Sequence, residues 1–214
     1  GPDPVEQSGP HPHHIPFDPA GQFVAVPDKG LDRVFVFRVD TTAGRLRPAD
    51  PAWVTTRRGA GPRHIAFHPH QPFAYGINEL DSTVATYAYA DGVLTPQQVL
   101  PSAPEDAPPK NTGAEILVHP SGRTVYVSNR GHDSVGVFAV QGGGRELSPV
   151  GWHPSGGRVP RAMALDPAGR FLYVANQSSD TIVAFAVDSA SGELSPTGHT
   201  IEVGSPSTIV FVAR

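Results

Sequence analysis

One pattern returns four times along this chain, and it leaves few folds open: an apolar run, a turn at proline, a second apolar run, a polar turn carrying Asp, and a third apolar run. The copies open at His14-Ile15-Pro16-Phe17-Asp18-Pro19, His64-Ile65-Ala66-Phe67-His68-Pro69, Glu115-Ile116-Leu117-Val118-His119-Pro120 and Ala162-Met163-Ala164-Leu165-Asp166-Pro167. Their turn prolines lie 50, 51 and 47 residues apart. The second runs are Phe23-Val24-Ala25-Val26, Phe73-Ala74-Tyr75-Gly76, Val125-Tyr126-Val127 and Phe171-Leu172-Tyr173-Val174. The third runs are Val34 to Val39, Val84 to Tyr89, Val135 to Val140 and Ile182 to Val187. All are strand-length and rich in β-branched or aromatic residues, which suit a pleated, half-buried surface. Gly44-Arg45-Leu46, Gly92-Val93-Leu94 and Gly192-Glu193-Leu194 then turn the chain into a weaker fourth strand.

Four strands at this period make one propeller blade. The expected fold is all-β, a β-propeller of four-stranded antiparallel blades forming a single partial domain. Its blades fall at approximately 11–58, 59–105, 112–156 and 158–204, with a closing strand at 206–212. Asp18-Pro19-Ala20-Gly21, His119-Pro120-Ser121-Gly122 and Asp166-Pro167-Ala168-Gly169 put Pro second and Gly fourth, as a type I turn prefers, so they join strands one and two. No segment sustains a 3.6-residue period with caps, so helix should be scarce. Four blades and one strand leave open sheet edges. The expectation is therefore that blades upstream of Gly1, a complementary N-terminal fragment or another copy closes the ring. Pro101 to Pro109 reads as a long solvated connection, with a lid over the pocket as the alternative.

Composition narrows the function. Sixteen Lys and Arg against 20 Asp and Glu give a formal charge of −4, without the basic excess that draws nucleic acid or an acidic membrane surface. Cysteine is absent, which removes thiolate nucleophiles, disulfides and Cys-held zinc. No apolar run approaches the ~20 residues of a membrane span. A cytoplasmic location is the expectation; the opening residues read as an interior segment, which leaves export to the periplasm open. There is no Ser-His-Asp order, Gly-rich phosphate loop or HExxH helix.

In a repeat, positions shared by every copy serve the blade, and slots that diverge into unlike ionic residues are candidates for function. Two slots diverge. The residue before the first run is His13, Arg63, Ala114 or Arg161; the residue after the Asp or Asn that ends strand two is Lys29, Glu79, Arg130 or Gln177. Strands one and two are antiparallel, so both slots lie at one end of the blade, near the axis. His13, Arg63, Glu79, Arg130 and Arg161 should therefore crowd one channel mouth. Three guanidiniums in a dry pocket call for an anion, and their planar forks suit carboxylate or phosphate. Glu79 and His13 are then the groups available for proton transfer. The competing reading makes all five exposed rim residues in surface ion pairs.

The remaining polar positions read as structural. His68 and His119 share a slot with Asp18 and Asp166 and should cap turns, while Asn78, Asn129, Asn176 and Asp28 should fix the turn after strand two. His14 and His64 share a slot, as do Asp32, Asp81, Asp133 and Asp180, and recurrence argues for structure. His11 and His13 could present two imidazoles on one face of an extended segment, but no third ligand follows at a readable spacing, so neither metal nor cofactor is expected.

Gln7-Ser8-Gly9-Pro10-His11-Pro12-His13, Val26-Pro27-Asp28-Lys29-Gly30-Leu31-Asp32-Arg33-Val34, Gly113-Ala114-Glu115-Ile116 and Val127-Ser128-Asn129-Arg130-Gly131-His132-Asp133-Ser134-Val135 resemble the lactonase family of seven-bladed propellers. That family includes 6-phosphogluconolactonases and carboxy-cis,cis-muconate cyclases. The resemblance implies a metal-free enzyme acting on a small anionic sugar lactone, or alternatively a muconate cycloisomerase. A non-enzymatic binding propeller is the third reading. The positions matching the family's proposed site are His13, Arg63, Glu79 and Arg130, with His11, Lys29, Glu115, Asn129 and Arg161 as the expected substrate contacts. Roughly three of the seven blades are missing, so the chain alone is not expected to hold the whole site.

Overall fold

The computed structural model describes residues 1–212. Its strands form four antiparallel sheets in chain order. The first holds β1 (Phe23–Asp28), β2 (Arg33–Asp40) and β3 (Arg45–Thr55); the second β4 (Pro62–Phe67), β5 (Phe73–Asn78), β6 (Thr83–Ala90) and β7 (Val93–Pro101). The third holds β8 (Thr112–Val118), β9 (Thr124–Arg130), β10 (Ser134–Gln141) and β11 (Glu146–Pro154); the fourth β12 (Pro160–Leu165), β13 (Phe171–Asn176), β14 (Thr181–Val187) and β15 (Leu194–Glu202). Within each sheet, successive strands are neighbours, and the only helices among the described residues are two short 3-10 turns. This is the expected propeller arrangement. The inner strands β4, β8 and β12 stand side by side, and β1, the second strand of its blade, packs against β4.

Three apolar layers fill the spaces between blades. Phe23, Ala25, Val34 and Val36 meet Ile65, Ala74 and Tyr87; Tyr75, Ile77 and Val84 meet Ile116, Val127 and Phe138; Tyr126, Val135 and Val137 meet Met163, Leu172 and Phe185. The strand alternation that buries these side chains on both faces explains the near-continuous apolar runs in the sequence. Burying one Ile or Leu in such a layer stabilises by roughly 1.5–3 kcal/mol. Tyrosine hydroxyls tie blade to blade: Tyr89 to the Asp18 carboxylate, Tyr75 to the Gly144 carbonyl and Tyr126 to the Gly192 carbonyl, at 3.0, 2.8 and 2.9 Å.

The proline turns close as their sequences require, Gly21, Gly122 and Gly169 N–H donating to Asp18, His119 and Asp166. His68 and His119 cap turns through Nδ1, which accepts from Gln71 and Ser121 N–H. Asn78, Asn129 and Asn176 are buried after strand two, their amides bonded to Thr83, Ser102 and Ser155.

Three expectations need correction. The first blade has three strands, not four: its inner segment pairs only through the bridges Pro12–Asp28 and Phe17–Val24. Pro10, Pro12, Pro16 and Pro27 carry no N–H, so the ladder cannot run unbroken there. Residues 206–212 form no strand, and Phe211 leans on Tyr173 with ring centroids 5.5 Å apart. The recurring turn position is Asp32, Ser82, Asp133 and Asp180, not Asp81. All four have φ between 52° and 55°, and their carbonyls accept from Thr56, Ser102, Ser155 and Val203.

Candidate functional site

Each complete blade carries an irregularity at the start of its inner strand. Pairing slips between Pro62 and His64, between Gly113 and Ile116, and between Pro160 and Ala162. The extra residues are Arg63, then Ala114 and Glu115, then Arg161. A bulge breaks the two-residue alternation of a strand and re-aims its side chains. That is why Arg63 and His64, adjacent in sequence, can touch the same neighbours, Arg63 Nη1 lying 3.1 Å from His64 Nε2.

Glu79 sits at the centre. Its Oε2 is 3.0 Å from Arg63 Nε and 3.2 Å from Arg130 Nη2, and its Oε1 is 3.2 Å from Lys29 Nζ. Lys29 also holds Glu6, at 2.5 Å. The two divergent slots therefore meet across three blades, and with Arg63 only 2% exposed the surface-ion-pair reading fails for this group. Burial alone would raise Glu79, but Arg130, Lys29 and Arg63 outweigh it and hold the carboxyl below its ordinary range. Glu79 is thus a counter-ion and a poor base, which corrects its expected part in proton transfer. Burial, with Arg130 next, brings Arg63 down to about 10, so it stays charged at neutral pH.

A second group lies beside it. His64 Nδ1 is 2.6 Å from Glu115 Oε1, and His64 Nε2 is 3.1 Å from His13 Nδ1. The His14 ring stacks on His64 at 4.3 Å, and Arg63 Nη1 donates to the Ala114 carbonyl at 2.6 Å. Burial lowers His64 to about 3 and His13 and His14 to about 4, with Arg63 or His64 adding to it in each case. All three imidazoles are neutral at pH 7, so the Glu115–His64 contact is a hydrogen bond and not an ion pair. Burial pushes Glu115 up to about 7, although the Ile116 N–H and Arg63 pull it back. His14 and His64, read from recurrence as structural, stand in the site; a slot can recur and still hold ionic chemistry when a bulge turns it inward.

Two donors are left over. Arg130 Nε is buried without a partner, and Arg161 makes no ion pair or side-chain hydrogen bond among the described residues while its charge bears on Arg63 and His64. Asn129 is corrected as a substrate contact: it is fully buried and bonded to Ser102 and Asn111. His11 joins the strand through its backbone, its N–H donating to Asp28 Oδ1 and its carbonyl accepting from Lys29. The stretch after Pro101 is pinned between blades, the Ser102 carbonyl accepting from Trp152 Nε1 at 2.8 Å, and none of its hydrogen bonds reaches the ionic group. A concavity of about 490 Å³ between β7 and β11 is lined by Leu100, Ala103, Leu147 and Trp152, with Glu105 its only titratable group. The convergent charges lie elsewhere, at Glu79 and its neighbours.

Residues 1–211 match the model of the lactonase, 7-bladed beta-propeller family. The chain belongs to that family. Among lactonase relatives, the 6-phosphogluconolactonase of Serratia proteamaculans (strain 568) is 39% identical over 157 residues, covering 72% of this chain and 47% of its own length. That of Yersinia enterocolitica is 37% identical over 167 residues, covering 76% and 50%. The chain thus spans about half the length of these relatives. Among solved structures, the periplasmic gluconolactonase of Pseudomonas aeruginosa superimposes with a TM-score of 0.90 at 39% identity, over 97% of this chain and 58% of that one. A Lactobacillus plantarum protein does so with 0.90 at 34% identity, over 97% and 60%. None of these relatives is named for muconate chemistry, and the cycloisomerase alternative finds no support. No helix of the described residues is long and apolar enough to cross a membrane.

Proposed function

We propose that this chain supplies the larger part of the site of a lactonase that hydrolyses a small anionic sugar lactone. The observation that carries the reading is a surplus of positive donors: Lys29, Arg63 and Arg130 surround the Glu79 carboxylate, Lys29 also holds Glu6, and Arg161 adds its charge beside Arg63, with Arg130 Nε and Arg161 unpartnered, beside neutral His13. An anionic group bound by Arg130 and Arg161 would complete the charge balance, and charge-assisted, forked contacts of this kind are the strong ones. Arg63, which grips Glu79 and the Ala114 carbonyl, holds the wall of the site. His13 Nδ1 faces His64, which leaves Nε2 to accept a proton from the water that attacks the lactone carbonyl. The oxyanion that forms would lie against the same cationic wall. Relatives named 6-phosphogluconolactonase and one named gluconolactonase support the substrate class and differ on the phosphate.

The test is turnover of 6-phosphoglucono-δ-lactone and glucono-δ-lactone, above their spontaneous hydrolysis, by the full-length protein that contains this chain. The expected result is acceleration of the phosphorylated lactone that falls tenfold or more in Arg130→Ala. Activity untouched by Arg130→Ala and by His13→Ala, with a protein ligand bound instead, would favour the non-enzymatic reading and overturn this one.

A further inference from the structure

His13 poses a chemical difficulty. It is half-buried and faces Arg63 and His64, opposed by Glu79, so an imidazolium there is costly and the ring alone is a weak base. A hydrogen-bonded line offers a way out. It runs from His13 Nδ1 to His64 Nε2 at 3.1 Å and from His64 Nδ1 to Glu115 Oε1 at 2.6 Å, and it ends on a buried carboxyl whose other contact is the Ile116 N–H. His14 stacked on His64 and Arg63 Nη1 beside it fix the middle ring.

We propose that Glu115, acting through His64, is the proton store of this site, so that His13 takes up a proton without becoming charged. The idea deepens the lactonase reading and rests on it only for the source of the proton. In the starting state Glu115 is ionised, His64 carries its proton on Nδ1 and donates to Glu115, and His13 carries its proton on Nδ1 and donates to His64 Nε2. A water gives a proton to His13 Nε2 as its oxygen bonds to the lactone carbonyl carbon. The His13 Nδ1 proton passes to His64 Nε2, and the His64 Nδ1 proton passes to Glu115 Oε1. The result is two neutral imidazoles protonated on Nε2, a neutral carboxyl, and a negative charge moved from Glu115 to the oxyanion. Collapse of the oxyanion breaks the ring C–O bond, and reversal of the line returns the proton to the leaving alkoxide. No oxidant, reductant or metal enters the balance. The groups facing the line are His14 from the first blade, Arg63 and Glu79 from the second, Arg130 from the third and Arg161 from the fourth, with Lys29 of the first blade held between Glu79 and Glu6. Burial and the Arg63 charge oppose imidazolium at every ring, with Arg130 and Arg161 adding to this at His64, while burial matches the affinity of Glu115 for a proton to neutral pH. His64 and Glu115 are positioning residues, and only His13 meets the substrate.

The test is the ring ¹⁵N shifts of the wild-type protein between pH 5 and 9, which distinguish the two neutral tautomers from imidazolium. The expectation is that His13 and His64 switch together from the Nε2–H to the Nδ1–H form near neutral pH, with no imidazolium, and that Glu115→Gln abolishes the switch while His68 and His119 keep their shifts. A fixed tautomer, an imidazolium in that range, or a switch that survives Glu115→Gln overturns the proposal, and the wild-type titration decides alone if the variant does not fold. In turnover, Glu115→Gln should lower kcat at least tenfold and remove its acid limb with KM unchanged; an unchanged kcat profile counts against the store. If no lactone is turned over, the lactonase reading fails while the tautomer titration still decides this one.

Discussion

Arg63 and Arg161 occupy one slot in different copies and differ in what they hold. Arg63 is buried on Glu79 and the Ala114 carbonyl, so Arg63→Ala leaves a buried carboxylate short of a partner; we expect a loss of about 3–5 kcal/mol in urea unfolding. Arg161 has no such duty. Arg161→Ala should leave stability within about 0.5 kcal/mol while weakening inorganic phosphate binding, read by calorimetry, roughly tenfold or more. Acid dependence separates Glu115 from the histidines. His13, His14 and His64 bind protons less readily folded than unfolded, so they make stability rise with pH from about 4 to their unfolded value near 6.5. Glu115 has the opposite sign: its folded value of about 7 lies above the unfolded 4.5, so its contribution is full below 4.5 and is lost as the pH rises to 7. Removing it in Glu115→Gln should therefore steepen the rise of Tm between pH 4.5 and 6.5, and a flatter curve would contradict the assigned shift. At this scale the divergent slots point to His13, Arg63, Glu79, Arg130 and Arg161 at one channel mouth, and the structure puts Lys29, Arg63 and Arg130 from those slots on Glu79. They do not point to His64, because a recurring slot argues for structure, nor to the weakness of Glu79 as a base, because that follows from which cations stand nearest it.

The bulged start of the inner strand turns a repeating blade into a site. Gly113 opens the bulge that carries Ala114 and Glu115, and a Cβ there would lie 2.6 Å from the Asn78 carbonyl oxygen and 2.7 Å from Ile77 Cγ1. Its neighbours are backbone and a packed side chain, so β8 would have to move. Gly113→Ala should cost about 1–3 kcal/mol and weaken phosphate binding as well, measured as Cm and as the phosphate-induced rise in Tm. Full stability together with full binding would show that the close approach is unimportant. In the second, third and fourth blades, strand number and order were readable from the period and from apolar alternation. The bulges were not, because a single inserted residue leaves an apolar run unchanged in composition and appears only in the register against the next strand. The three-stranded first blade was legible in principle, since four prolines sit where a ladder needs donors.

Across the whole molecule, stability is a series of interfaces between neighbouring blades. Tyr75→Phe and Tyr126→Phe each strip a buried carbonyl of its partner in the next blade, and each should lower unfolding stability by about 1–2 kcal/mol. The first blade is the weakest member: β3 is largely exposed and the inner segment is held by isolated bridges, whereas β9 and the first half of β10 are buried. Amide exchange should therefore be fastest in β2 and β3 and slowest in β9 and β10, and equal protection throughout would mean that the chain opens only as a unit.

The sequence by itself determined the blade, its count in this chain and the end of the blade at which unlike charges gather, because period, alternation and turn chemistry are local and survive in one dimension. Tertiary structure alone decided which of those charges neutralise one another and which imidazoles join a line. Proton affinity depends on burial and on neighbours some fifty residues away in sequence, and both come into being only when blades pack around an axis.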